Sequence, residues 1–126
     1  MTLRRQSKSS KAVLIKQCDD IFRELLRKRD KVCQYSNKPD NLQVCHFISR
    51  ENKHLRWNFD NCCMINAGIH KFVFHKKPHI HREFMVKRIG EEKVHKFELM
   101  DKVTCRPLYE CEIKIIKSQL LKELEG

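Results

Sequence analysis

Four side chains between residues 46 and 75 are of the types that hydrolyse phosphodiesters: His46, Asn61, His70 and His75. Such chemistry needs a base to activate water, a divalent ion to neutralise charge on the phosphate, and cations to position the backbone. His46 closes the apolar word LQVCHF and could be the base. His70, or His75 five residues on, could hold the ion. Asn61 could orient the base or ligate the metal. Arg50, Lys53 and Arg56 lie in the stretch between, and Arg27 and Arg29 in FRELLRKRD; all five are candidates for gripping phosphates. A buried structural role for Arg50 or Arg56 would require a carboxylate partner, and none is evident nearby in sequence. Nucleophilic chemistry fares worse. The chain has no Gly-x-Ser-x-Gly elbow, and Cys45 and His46, as neighbours in a strand, would point to opposite faces.

These residues need a scaffold, and the hydrophobic pattern supplies one. Leu14, Cys18, Ile21, Phe22, Leu25 and Leu26 recur at helical spacing and predict a helix over 11–31. Residues 33–41 (CQYSNKPDN) are turn chemistry. Short strands are expected at 42–47 and around 62–65, joined by a polar, basic connection over 49–61. A helix over 66–76 would follow, with Asn66 as its N-cap. Further helices are expected at about 79–88 and 91–100, separated by Gly90, with Glu91 and Glu92 near the start of the second, where the helix dipole favours them. A last helix entered through Pro107 would line Ile113, Ile116, Leu120 and Leu124 along one face. The order strand, loop, strand, helix places a His at the end of the first strand and two on the helix. The fold class is therefore α+β and mostly helical: a short two-stranded hairpin plus helix, flanked by N- and C-terminal helices. Trp57 is read as a core anchor. His79 and His81 are expected at the surface or a helix start, and His54 and His95 have no assigned role.

The chain has 126 residues and a formal net charge of +11. Residues 1–50 carry twelve Lys/Arg against five Asp/Glu, residues 51–88 eight against three, and residues 89–126 seven against eight. The positive field belongs to the first two-thirds, and its natural partner is a polyanion such as DNA. Residues 1–10 read as a flexible basic tail and 11–126 as one domain, with a central unit at about 33–77 and C-terminal helices at about 79–124. No apolar run is long enough to span a membrane. The start lacks the pattern of a secretion signal, so the cytoplasm is the expected compartment. Seven cysteines, an odd number, argue for metal binding or burial rather than a disulfide framework.

The segments LQVCHFISR, LRWNFDN and GIHKF, in that order, resemble the HNH endonucleases, which set His, Asn and His on a ββα-metal fold. More narrowly the chain is similar to the NinG/Rap group of phage recombination endonucleases, in FRELLRKRD, in His-x-Ile-Ser-Arg and in IGEEKVHKFE, over roughly residues 11–100. The resemblance implies a metal-dependent DNA endonuclease acting on branched recombination intermediates, with magnesium or manganese as cofactor and the host cytoplasm as its compartment. His46 would be the general base, Asn61 the middle Asn and His70 the metal-binding His. Where several members have an acidic ligand before the first His, this chain has Cys45. Many members also hold a structural zinc by two Cys-x-x-Cys pairs, which here fall at Cys33 and Ser36 and at Asn66 and Ile69. One thiol of four cannot close a tetrahedral site. The zinc is expected to be lost, with packing by Ile69, Phe72 and Trp57 in its place; a rewired site on Cys33, Cys45, Cys62 and Cys63 is the alternative. A junction cutter would need two active sites, hence a homodimer, for which the last helix could supply the interface, or that helix could simply cap the core. The rival reading is a DNA-binding module that keeps the fold without catalysis. A cysteine-based redox or metal protein is remote, since no Cys-x-x-Cys pair is present.

Overall fold

The computed structural model describes residues 9–103 and 106–126. Its architecture is α+β: an antiparallel hairpin held between helices. The expected basic tail falls almost wholly outside the described residues, apart from its last two positions. Ser9 caps the first helix by accepting a hydrogen bond from the Ala12 amide at 3.2 Å, and Ser10 is already helical.

That helix, α1 (Ser10–Arg29), buries Cys18, Phe22 and Leu26. These positions recur every four residues and form one stripe. The stripe packs on the last helix, α6 (Glu110–Glu125), whose Ile113 and Leu120 are buried in the same cluster with Trp57, Cys62, Met64 and Leu108. The buried face of α6 thus caps the core by packing on α1, one of the two roles expected for it. Pro107 lies before α6 rather than in its first turn. The helix starts after Tyr109, where Glu112 accepts a hydrogen bond from the Tyr109 amide at 2.9 Å.

The hairpin pairs β1 (Leu42–His46) with β2 (Cys62–Asn66), Leu42 facing Asn66 and His46 facing Cys62. Side chains alternate across it. Leu42, Val44, Cys62 and Met64 join the α1–α6 cluster. Cys45, Cys63 and Ile65 turn the other way, into a second cluster with Cys33 and Phe74. β2 is thus buried on both faces, which is why CCMI shows no apolar–polar alternation. The connection between the strands holds a short helix, α2 (Lys53–Arg56), that the sequence pattern does not announce; Asn52 caps it from the His54 amide at 3.2 Å.

After β2 the Asn66 side chain caps α3 by accepting from the Gly68 amide at 2.9 Å, as expected. α3 begins as Ala67–Ile69 and continues as a π-helical turn, His70–Phe74. Then come α4 (Pro78–Ile89) and α5 (Glu91–Lys102), divided by Gly90 at φ 94°, a backbone angle that favours glycine. Phe97 of α5 packs with Ile48 and Leu55 of the connection. Among the described residues no helix is long and apolar enough to cross a membrane.

One buried charge ties the layers together. Asp30, 3% exposed, follows α1 and accepts from the Met64 amide of β2 at 3.1 Å, from Arg29 at 2.8 and 2.9 Å and from Arg88 of α4 at 3.4 Å. Burial pushes its carboxyl upward, but the Arg29 hydrogen bond, the Met64 amide and the charges of Arg29 and Arg88 outweigh that and hold it below 3.8. The stabilisation is complete above that ordinary value and is lost as the pH falls through the lower folded value. Asp30→Asn should cost about 3 kcal/mol at neutral pH. It should also flatten the loss of stability below pH 4, measured by urea unfolding across a pH series. An unchanged acid limb would show that Asp30 is not the group responsible.

Candidate nucleic-acid-cleaving site

His46 ends β1 and is half-buried. Its Nε2–H donates to the backbone carbonyl of Arg56 at 2.9 Å. A carbonyl can only accept, so the proton sits on Nε2 and the lone pair on Nδ1. Burial lowers the pKa of the ring, and the neighbouring charges of Arg56 and Arg50 lower it further. The Arg56 carbonyl and Asp19 pull the other way without reversing the shift. His46 is therefore a neutral imidazole at pH 7, with one ring nitrogen free to take a proton.

The Arg56 carbonyl is itself held in place. The Arg56 guanidinium, with its side chain 12% exposed, forms a two-pronged ion pair with Asp19 of α1, Nε to Oδ1 at 2.9 Å and Nη2 to Oδ2 at 2.5 Å. Its Nη1 donates to the Arg50 carbonyl at 3.2 Å. The Trp57 indole also donates to Asp19 Oδ1, at 2.8 Å, and Trp57 is the core residue expected. Asp19 is the carboxylate partner that the sequence did not reveal: it lies 37 residues away. Arg56 is thus a positioning residue, not a free phosphate contact.

Arg29 is corrected in the same way. It is consumed by Asp30 and by the carbonyls of Phe59 and Cys62, at 2.7 and 2.8 Å. Lys53 lies on α2 and lines other depressions, away from His46. Arg27 and Arg50 do converge on His46. They line a cleft of about 410 Å³ with Arg23, Asp19, Phe22, Leu42, Gln43 and Val44. Arg23, not named from the sequence, is on the same wall and pairs with Asp20 at 3.0 Å; Asp19, Arg23 and Arg27 recur every four residues and share one face of α1.

Asn61 does not stand where a metal ligand would. It is fully buried: Oδ1 accepts from the Ile48 amide at 2.8 Å, and Nδ2 donates to the carbonyls of Ile48 and Leu55 at 3.1 and 3.0 Å. Both donors are committed to pinning residues 47–61 into a closed loop. The loop in turn sets the Arg56 carbonyl against His46.

The histidines of α3 form a pair. In a regular α-helix five residues turn the chain by about 500°, which leaves two side chains about 140° apart. The π-helical turn, with the His75 amide donating to the His70 carbonyl at 3.1 Å, corrects that offset. The two rings meet edge to face, 4.6 Å between centroids. His70 Nδ1–H donates to Gln43 Oε1 at 3.1 Å, leaving a lone pair on Nε2. Burial, with the charges of His75 and His46, lowers its pKa and keeps it neutral. Gln43 also lines the His46 cleft.

Neutral imidazoles are good donors to transition-metal ions, whereas magnesium selects oxygen. Cys45, in the position of the acidic ligand, points into the core. Burial pushes its thiol well above the usual range, with Cys63, Cys62 and Cys33 adding to the shift, and it contacts His81 Nε2 at 3.7 Å. Among the described residues no three His, Cys, Asp or Glu side chains converge on one point. His70 and His75 are two imidazoles lying side by side, a donor type that suits a borderline ion such as zinc or nickel in preference to magnesium. His81 lies in the first turn of α4, one of its two expected places, but is half-buried and stacked on Phe74 at 4.3 Å; burial, then His70 and His75, push its pKa down to about 4.

The four degenerate zinc positions do come together. The Ser36 amide donates to Cys33 Sγ at 3.4 Å, and Ile69 packs against the cluster that contains Cys33. Burial would raise the Cys33 thiol, but hydrogen bonds from Ser36 and from the amides of Asn66 and Tyr35 bring it below the usual value. One thiol beside the Ser36 hydroxyl cannot close a zinc site. Phe72 takes no part in the substitute packing, being 57% exposed, and Trp57 belongs to the other cluster. Compared with known protein families, curated proteins and solved structures, the chain matches none.

Asp19→Ala should cost about 2 kcal/mol, the expected loss for a broken ion pair reduced for the partial exposure of Asp19. The same substitution should turn the single Nε2–H tautomer of His46 into a mixture, read from the ¹⁵N shifts of its ring. An unaltered ring spectrum would remove Asp19 from any role in positioning His46.

Proposed function

We propose that the chain is a metal-dependent DNA endonuclease of the HNH type. The observation that carries this reading is the His46 ring, locked with its lone pair on Nδ1 beside a cleft walled by Arg23, Arg27 and Arg50. A neutral imidazole with one free nitrogen can take a proton from water as it attacks phosphorus. The arginines hold the flanking phosphates and offset the charge that develops in the transition state. The chain order supports the same reading: hairpin, then a helix bearing His70 and His75, with Asn61 closing the loop between the strands. His70 and His75 would hold the divalent ion, which when bound would polarise the scissile phosphate. Contacts of this kind read the backbone, so cleavage should show little base specificity and strong salt dependence. Branched DNA, in line with the resemblance to recombination endonucleases, is the substrate to set beside plain duplex.

The test is nicking of supercoiled plasmid and branched DNA with magnesium, manganese, nickel or zinc. His46→Ala should lower the rate at least about a hundredfold while DNA binding persists. Protonated His46 cannot act as base. The parent rate should therefore rise with pH through a value below the ordinary 6.5 and level off by neutrality. His70→Ala with His75→Ala should abolish binding of nickel or zinc in calorimetry and remove the metal dependence. If parent and His46→Ala both bind DNA and neither cuts with any of the four ions, the nuclease reading is wrong and the chain is a DNA-binding module.

A further inference from the structure

Between Asp60 and Glu83 the sequence contains no acidic residue, but it carries Lys71, Lys76, Lys77, Arg82 and four histidines. In the middle of that stretch Phe72 is 57% exposed, while Phe74, two residues on, is 2% exposed in the core. The π-helical turn brings His70 and His75 together, and Phe72 of that same turn stays outside the core. Lys71 Nζ and Lys76 Nζ stand 5.5 and 5.3 Å from the Phe72 ring centroid. A cation near an aromatic face is weakly attracted to it, yet the ring remains over half exposed to water. An exposed aromatic is costly in water unless a partner covers it.

A flat ring flanked by cations, in a segment without a negative charge, matches one ligand chemistry. The ring stacks on a base and the ammonium groups neutralise the adjacent phosphates. In a duplex the base faces are hidden by stacking, so the ring has nothing to hold there. We propose that Phe72, with Lys71 and Lys76, is a stacking platform for an unpaired base of a DNA strand, placed on the same helical turn as His70 and His75. This extends the endonuclease reading, on which it rests for its catalytic meaning, by naming the substrate class: DNA with unpaired nucleotides next to the scissile bond.

The experiment is fluorescence anisotropy of the full chain with a labelled oligothymidylate and with a blunt duplex of equal length, without divalent ions. The parent should prefer the single strand. Phe72→Ala should weaken single-strand binding about tenfold, in the range for loss of one base–aromatic stack, with less than about a twofold effect on the duplex. Phe72→Trp should restore the preference. Removing Lys71 and Lys76 together should weaken both probes and flatten their salt dependence. Phe72 fills no core, so its truncation should leave the melting temperature unchanged, and a folding defect is checked directly. Equal losses on both probes for Phe72→Ala, or failure of Phe72→Trp to restore the preference, overturn the platform. No cleavage is read. A parent that binds single strands through Phe72 but never nicks defeats the nuclease reading alone, and a nicking parent whose strand preference survives Phe72→Ala defeats the platform alone.

Discussion

The ion pair between Asp19 and Arg56 is the contact on which the candidate site depends. Two oxygens of a residue on α1 hold a guanidinium from the loop between the strands, and the backbone of that same arginine holds His46. The tautomer of a histidine at a strand end is therefore decided by a helix far away in sequence. The arrangement works through rigidity. A two-pronged pair fixes the plane of the guanidinium as well as its position. The indole of Trp57, bonded to the same carboxylate, anchors the next residue in the core. Asn61 closes the loop from the other side with three bonds to its backbone. His46 is thus oriented by groups that are each held by several partners of their own.

The hairpin carries this precision because it is clamped between two apolar layers. β2 has no solvent face, and its cysteines serve there as small apolar side chains. Burial raises the thiols of Cys62 and Cys63, the latter to about 12, so they stay protonated and neutral. Cys45 is held in the same state. A thiol that is never a thiolate is a poor ligand and a poor nucleophile. The abundance of cysteine in this chain is in large part a matter of packing volume.

The frame of the fold was legible in the residues. Helical spacing from Leu14 to Leu26 located α1, Asn66 marked the start of α3, and Gly90 marked the break before α5. These are local signals, and local chemistry decides them. His46, Arg27 and Arg50, named as candidates from the letters alone, lie along one cleft. Arg56 and Arg29 were misread because their partners are distant or main-chain: Asp19 on α1, and the carbonyls of Phe59 and Cys62. No periodicity encodes such a pairing. Asn61 was assigned to chemistry because its type permits it, while its burial depends on how the loop folds around it. Phe72 was expected to pack and is instead exposed, while His81 sits at a helix start, one of its two expected places, but turns inward onto Phe74.

The cleft of Arg23, Arg27 and Arg50 has a further consequence. Several guanidinium groups share one small space: Asp19, which lines it, is engaged by Arg56, and Asp20 offsets Arg23 alone, leaving Arg27 and Arg50 uncompensated there among the described residues. The folded chain therefore carries a mutual repulsion there that the unfolded chain, with its charges spread apart, does not. A polyanion in the cleft removes that repulsion, and it does so only for the folded form. Folding and ligand occupancy then share a single equilibrium, in which each shifts the other. Any anion that settled in the cleft would, by that linkage, tighten the folded chain around it.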